Sequence, residues 1–235
     1  MSLPPEPPLA AAAVHAIHSG DVELLKQLLN QNVDLLRAKI DGQRTLLHVA
    51  TDWPGHFPNN VATVAALASC GADVNAAFTG RHSETPLHWA ASSNDVAVVD
   101  ALLDHGADIE AAGGVIGGGT PLADAVAFGQ WQAARRLVER GARTTLWQAA
   151  ALGLIDRVTA CFTGGPVPTE DEVTNAFWCA CHGGQQATAE YLLERGADLN
   201  WVGHDNLSPL DAARRSGAKE LVGWLNQRGA TSAGN

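Results

Sequence analysis

The stretch Glu84-Thr85-Pro86-Leu87-His88-Trp89-Ala90-Ala91, followed ten residues later by Leu102-Leu103-Asp104-His105-Gly106-Ala107-Asp108, reads as one helix-turn-helix unit. Thr85 offers a capping hydroxyl, and Pro86 suits the first helical position, where its missing N–H costs nothing. Gly106 supplies the left-handed residue that ends a second helix, and the chain continues extended through Asp108-Ile109. Thr120-Pro121-Leu122 stands 35 residues after Thr85, and Gly141-Ala142 stands 35 after Gly106. That period marks a solenoid.

The pattern extends in both directions. Seven units are expected, over about 9–40, 41–76, 77–111, 112–143, 144–168, 169–200 and 201–230. A flexible proline-rich leader over 1–8 precedes them and a flexible tail over 231–235 follows. The first unit pairs helices over Ala10–His18 and Val22–Asn30 across Gly20-Asp21. The second carries Thr45-Leu46-Leu47-His48 and then an insertion, Asp52 to Asn60, that breaks the period. In the fourth, Ala123 stands where His88 would. The fifth follows Gly141 almost without a connecting loop, with Trp147 in the histidine's place. The sixth is introduced by the acidic loop Thr169-Glu170-Asp171-Glu172 and has Trp178 there, and the seventh opens at Ser208-Pro209-Leu210-Asp211. No unit can hide its own apolar face, so the pairs Leu102/Leu103, Leu137/Val138 and Leu192/Leu193 are expected inside, against neighbouring units.

The Thr-Pro-Leu-His and Gly-Ala-Asp signatures resemble those of the ankyrin repeat. The resemblance implies an all-α solenoid of stacked antiparallel helix pairs with finger loops, forming one domain over 9–230. It further implies a non-catalytic protein-protein interaction module that holds its partner in a concave groove and on its fingers. His48 and His88 then take the family's role of bonding neighbouring turns. An indole at the equivalent Trp147 or Trp178 donates one bond and accepts none, so the loop bonding there must differ.

Composition narrows the partner. Lys and Arg number 15 against 25 Asp and Glu, for a net charge of −10, which excludes nucleic acid and favours a protein with a neutral or basic surface. No run of about 18 apolar residues exists, so no membrane span is expected. Cys70, Cys161, Cys179 and Cys181 lack the spacing of a disulfide framework and read as reduced thiols of a cytoplasmic monomer. Abundant Ala, and Arg in excess of Lys, suggest a GC-rich bacterial source.

Aligning the units on their terminal glycines places Val49, Trp89, Asp124, Gln148, Cys179 and Ala212 in one row that, by the resemblance, faces the groove. Asp52, Ser92, Ala127, Leu152, His182 and Arg215 lie one helical turn further along the same face. The expected binding residues are Trp53, Arg81, His82, Glu84, Trp89, Asp124, Gln148, Cys179, His182, Trp201 and His204. Trp89 is the anchor, and a cationic group of the partner would suit Asp124. Trp131, Trp147, Trp178 and Trp224 are assigned to packing. His56, His82 and His204 are expected exposed and free to bind. The second reading is a small-molecule site or atypical enzyme, with a pocket near Trp89, Asp124 and Gln148 roofed by residues 52–60. Its weak catalytic candidates are Asp124 as acid or base and Cys179 with His182 as a thiol-imidazole pair. No cofactor and no metal are expected. Cys179 and Cys181 sit two apart, a spacing that turns them to different helix faces, and Gly113–Thr120 lacks the lysine a phosphate loop requires.

Overall fold

The computed structural model describes residues 7–234, in two compact units divided between Ala142 and Arg143. The first contains α1 (Pro7–Ser19), α2 (Val22–Gln31), α3 (Leu46–Thr51), α4 (Asn60–Ser69), α5 (Pro86–Ser92), α6 (Val96–Asp104), α7 (Pro121–Ala127) and α8 (Trp131–Glu139). The second contains α9 (Leu146–Ala151), α10 (Ile155–Ala160), α11 (Glu170–His182), α12 (Gln186–Leu193), α13 (Pro209–Arg215) and α14 (Lys219–Gln227). No strand is formed among the described residues, and one isolated bridge links Ile40 to Arg44.

Each unit is two-layered. In the first, α1, α3, α5 and α7 stack in one row and α2, α4, α6 and α8 in the other; in the second, α9, α11 and α13 stack beside α10 and α12. The inner helices start where the sequence places caps, at Thr45, Thr85, Thr120, Thr145 and Ser208. Core burial follows the helical period. Leu102, Leu137 and Leu192 are fully buried, whereas Leu103, Val138 and Leu193 are half-buried, because consecutive residues diverge by about 100° around a helix.

Three local expectations are corrected, and one loop is more ordered than its glycines suggest. Residues 1–6 of the leader lie outside the described residues, but Pro7 and Pro8 belong to the first turn of α1, where proline is tolerated. Glu170, Asp171 and Glu172 are not loop. They form the first turn of α11, where acidic side chains oppose the helix dipole and Glu172 completes a capping box with Thr169. The finger over 113–119 closes on itself through Gly113 N–H to Gly118 C=O and Gly114 N–H to Gly119 C=O. The tail is tied down, with Thr231 N–H donating to Asn200 Oδ1 (2.8 Å) and Ala233 N–H to Asp211 Oδ2 (2.8 Å).

Candidate functional site

The inner helices are joined to the next finger by one recurring bond. His88 Nδ1 accepts from Thr85 N–H (3.1 Å), which leaves the ring proton on Nε2 to donate to Gly119 C=O (3.1 Å). His48 does the same between Thr45 and Glu84 C=O. Burial keeps both rings neutral, pushing His48 down to about 4 and lowering His88. In the second unit Trp178 Nε1–H donates to Leu207 C=O (2.8 Å) and so preserves the outward bond. Gln148, not Trp147, closes the cap of α9, its Oε1 accepting from Thr145 N–H (2.8 Å). One residue fewer lies between this cap and the left-handed Gly153, so counting back from the glycine lands one position early.

In the first unit these bonds frame a pocket. The 52–60 insertion folds onto the turn between α5 and α6. His56 N–H donates to Asp95 Oδ2 (3.1 Å), the His56 ring bonds Ser93 C=O (3.0 Å), and Asn60 Nδ2 donates to Ala50 C=O (2.8 Å). This holds Trp53 out beside α5, 79% exposed. Trp89 lies edge-on to His48 (5.0 Å between ring centroids) and tilted against Phe78 (5.4 Å), with its indole N–H donated to Glu84 Oε2 (2.8 Å). Between them lies a cavity of about 250 Å³ lined by Asp52, Trp53, Glu84, Trp89, Ser92, Ser93, Val115 and Phe128.

A carboxyl pair lies beneath it. Glu84 also faces His82 Nδ1 (2.8 Å), and its neighbour on the inner side is Asp124, which is fully buried. Ile116 N–H donates to Asp124 Oδ1 (3.2 Å), and the finger backbone presses so close that a Cβ on Gly114 would fall 2.7 Å from Asp124 Oδ2. Burial, reinforced by Glu84, pushes the Asp124 carboxyl up to about 7. The burial of the carboxyl, the nearby Glu84 and an Oδ2 without a hydrogen-bond donor all disfavour the charged form of Asp124.

The second unit carries a different cluster. His182 stacks on Trp178 (5.5 Å), His204 meets Trp178 edge-on (5.0 Å), and Trp201 meets His204 edge-on (5.9 Å). His204 Nε2 bonds Asn175 Oδ1 (2.9 Å), and Arg215 pairs with Asp205 (2.6 Å). A larger cavity of about 710 Å³ adjoins it at Asn175 and is lined otherwise by Leu146, Trp147, Cys161, Val167 and Glu172 among others. Among the described residues, no group of three or more His, Cys, Asp or Glu side chains is placed to hold a metal ion.

Comparison with known proteins agrees with this architecture. Family models described as ankyrin repeats match residues 59–147, as three copies, and residues 174–204, together just over half of the chain. The chain belongs to the ankyrin-repeat family. Over 50 residues, 21% of its length, it is 44% identical to the ankyrin repeat and KH domain-containing protein mask-1 of Caenorhabditis elegans. Over 51 residues, 22% of its length, it is 39% identical to the ankyrin repeat and KH domain-containing protein CBG24701 of Caenorhabditis briggsae. It spans only 2% of the length of either. The crystal structure of the human ASB11 ankyrin repeat domain is similar in fold, with a TM-score of 0.54 at 24% identity, covering 94% of this chain and 98% of that one.

In this ankyrin-repeat protein the row expected to face the groove faces the packing between inner helices instead. Val49, Asp124, Gln148, Cys179 and Ala212 are buried and only Trp89 is partly open, because each inner helix is flanked there by its neighbours in the row. The row one turn on is more accessible, except for buried Leu152. Trp53, His82, Glu84, Trp89 and Asp124 come together in the first unit, and Arg81 is exposed on the adjoining finger. Cys179, His182, Trp201 and His204 belong to the second unit. Cys179 points its thiol toward Asn175 rather than His182, and burial pushes that thiol up to about 12, the reverse of an activated nucleophile. His56 and His204, expected free, are both hydrogen-bonded, and His82 is paired with Glu84. Of the tryptophans assigned to packing, Trp178 is buried, while Trp131, Trp147 and Trp224 are half-buried. Sequence reasoning passed over Phe128, which is 50% exposed at the pocket mouth. The signal was present, since Phe128 follows Asp124 by one helical turn.

Proposed function

We propose that this ankyrin-repeat protein is a non-catalytic interaction module that holds a protein partner on the first unit, around the pocket beside Trp89. One observation carries the reading. Of the eight large apolar side chains exposed among the described residues, four, Trp53, Val115, Ile116 and Phe128, lie on the insertion, the finger and α7's end, and three of them line this one cavity. A half-buried tryptophan within a rim of exposed apolar groups is the composition of an interaction hot spot. Protein captured from a native lysate on the immobilised chain, then titrated against the wild type and Trp53→Ala, tests it. The expected loss is about 2 kcal/mol of binding energy, and an unchanged affinity with the fold intact overturns the assignment.

A small-molecule or enzymatic site is the second reading, supported by the raised proton affinity of Asp124 near the pocket. Against it, Asp124 is fully buried and does not line the cavity, whose 250 Å³ falls below the 300–1,000 Å³ or so usual for small-molecule sites. Gln148 lies in the other unit, with its carbonyl taken up by the α9 cap. Crystals soaked with a fragment library, showing no ligand beside Trp89, dispose of it.

A further inference from the structure

The pocket beside Trp89 has two kinds of wall. Asp52 and Glu84 bring carboxylates, Trp53, Trp89 and Phe128 bring aromatic rings, and no lysine, arginine or histidine is among its lining residues. The carboxylates are fixed from behind. Asp52 accepts from Trp53 N–H (2.9 Å) and from Arg44 Nη1 (2.5 Å), and Arg44 is shared with Asp41. Glu84 is held by the Trp89 indole and His82, with the wholly buried Asp124 behind it. Three carboxylates, Asp41, Asp52 and Glu84, thus meet one guanidinium and one imidazole, and a deficit of positive charge faces the cavity.

Occupants differ in how well they meet both walls. An apolar side chain would cover the rings and strip water from the carboxylates without replacing it, while an anion would be repelled. A cation on an aliphatic stem satisfies both, with its methylenes against the rings and its head near the acids. The cavity has the dimensions of one side chain rather than of a free ligand. We infer that this pocket takes a single lysine or arginine side chain of the protein partner, its stem between Trp53 and Phe128 and its charged head at Glu84 and Asp52. The inference rests on the first unit being the docking face.

The test uses the full chain labelled with ¹⁵N and three blocked tripeptides, acetyl-Ala-Xaa-Ala-amide with Xaa as arginine, lysine or norleucine. At millimolar peptide the indole N–H resonances of Trp53 and Trp89 should move with arginine or lysine and stay in place with norleucine. Glu84→Gln should weaken this binding about five-fold, as loss of the charged partner predicts. Should that buried substitution unfold the unit, Trp53→Ala, on an exposed side chain, should weaken it by a similar factor of about five. Equal shifts with norleucine, no shift of either indole, or insensitivity to Trp53→Ala would each overturn the inference. The two readings fail separately. Loss of partner affinity in Trp53→Ala without discrimination among the peptides removes the cation site and keeps the docking face. Peptide discrimination with an unaffected partner keeps the cation site and removes the docking face.

Discussion

In the first unit one imidazole performs two tasks at the start of an inner helix, accepting from its own cap and donating to the next finger, as His48 and His88 both do. In the second unit the tasks are divided: Gln148 closes a cap, and Trp178 supplies the outward donor alone. The difference teaches that the shared requirement is a donor for the finger carbonyl, which an indole meets as well as an imidazole. It also separates the units by charge chemistry. His48, His88 and Asp124 give the first unit a buried set of groups with displaced proton affinities, whereas the corresponding interior of the second holds Gln148, Trp178, Cys179 and Cys181.

Removing the outward donors should have the largest effect. His88→Ala strands both Thr85 N–H and Gly119 C=O and should cost about 2–5 kcal/mol in urea unfolding, since each buried unsatisfied group costs about 1–3 kcal/mol. Trp178→Phe keeps an aromatic ring, though a smaller one, and strands only Leu207 C=O, for about 1–3 kcal/mol beyond the cost of the lost ring volume. Equal losses, with that volume cost set aside, would show that the capping half of the histidine's work contributes nothing.

The next largest effect is on acid sensitivity. His48 and His88 have folded values below the ordinary imidazole value, so their contribution is complete above about pH 6.5. It is lost as pH falls toward 4, where the unfolded chain binds protons that the folded unit refuses. Asp124 acts in the opposite sense. Its folded value near 7 lies above the ordinary one, so its contribution is present below about pH 4 and lost as pH rises through 7. Amide hydrogen exchange followed by mass spectrometry should show protection in residues 7–142 falling from pH 6.5 to 4 while residues 143–234 change little. Asp124→Asn should be more stable than wild type at pH 8, with the gain shrinking to nothing near pH 4 and the acid decline of the first unit steepened. A gain constant with pH would show that the Asp124 carboxyl is not raised by its surroundings.

The smallest effect concerns thiols. Burial raises Cys179 to about 12 and Cys181 also upward, whereas Cys70 is exposed. Iodoacetamide at pH 8 should label Cys70 in the native protein and reach Cys179 and Cys181 only after unfolding, as peptide mapping would show. Native labelling at Cys179 would mean that the second unit opens far more readily than its packing implies.

The fold was legible because helix starts and stops are local chemistry. Thr85-Pro86 and Gly106 act within a few residues of themselves, and the period then follows by counting. The site was less legible because its contacts are not local. Glu84 and Asp124 stand forty positions apart and meet only because two inner helices and a finger converge on them. Trp53 was found as an insertion residue, but its position depends on His56 and Asn60 bonding into and beside the next repeat. Trp147 was misplaced in register for a simpler reason. One missing residue shifts the cap relative to Gly153, and a count from one end cannot reveal which end moved. The groove row illustrates the same limit, since an equivalent position fixes a direction around the helix and says nothing of how closely the neighbouring helix covers it.

The bond from Thr231 N–H to Asn200 Oδ1 has a counterpart in the first unit, where Asp108 N–H donates to Asn75 Oδ1 (2.7 Å). Backbone just beyond Gly229 is therefore seated as the backbone just beyond Gly106 is, although no helix pair follows it among the described residues. For engineering, this defines a splice point: a grafted unit beginning at the Gly229-Ala230 step would inherit its first anchoring bond ready-made. A fusion that displaces Thr231 would instead leave the Asn200 side chain without the donor its place in the array supplies.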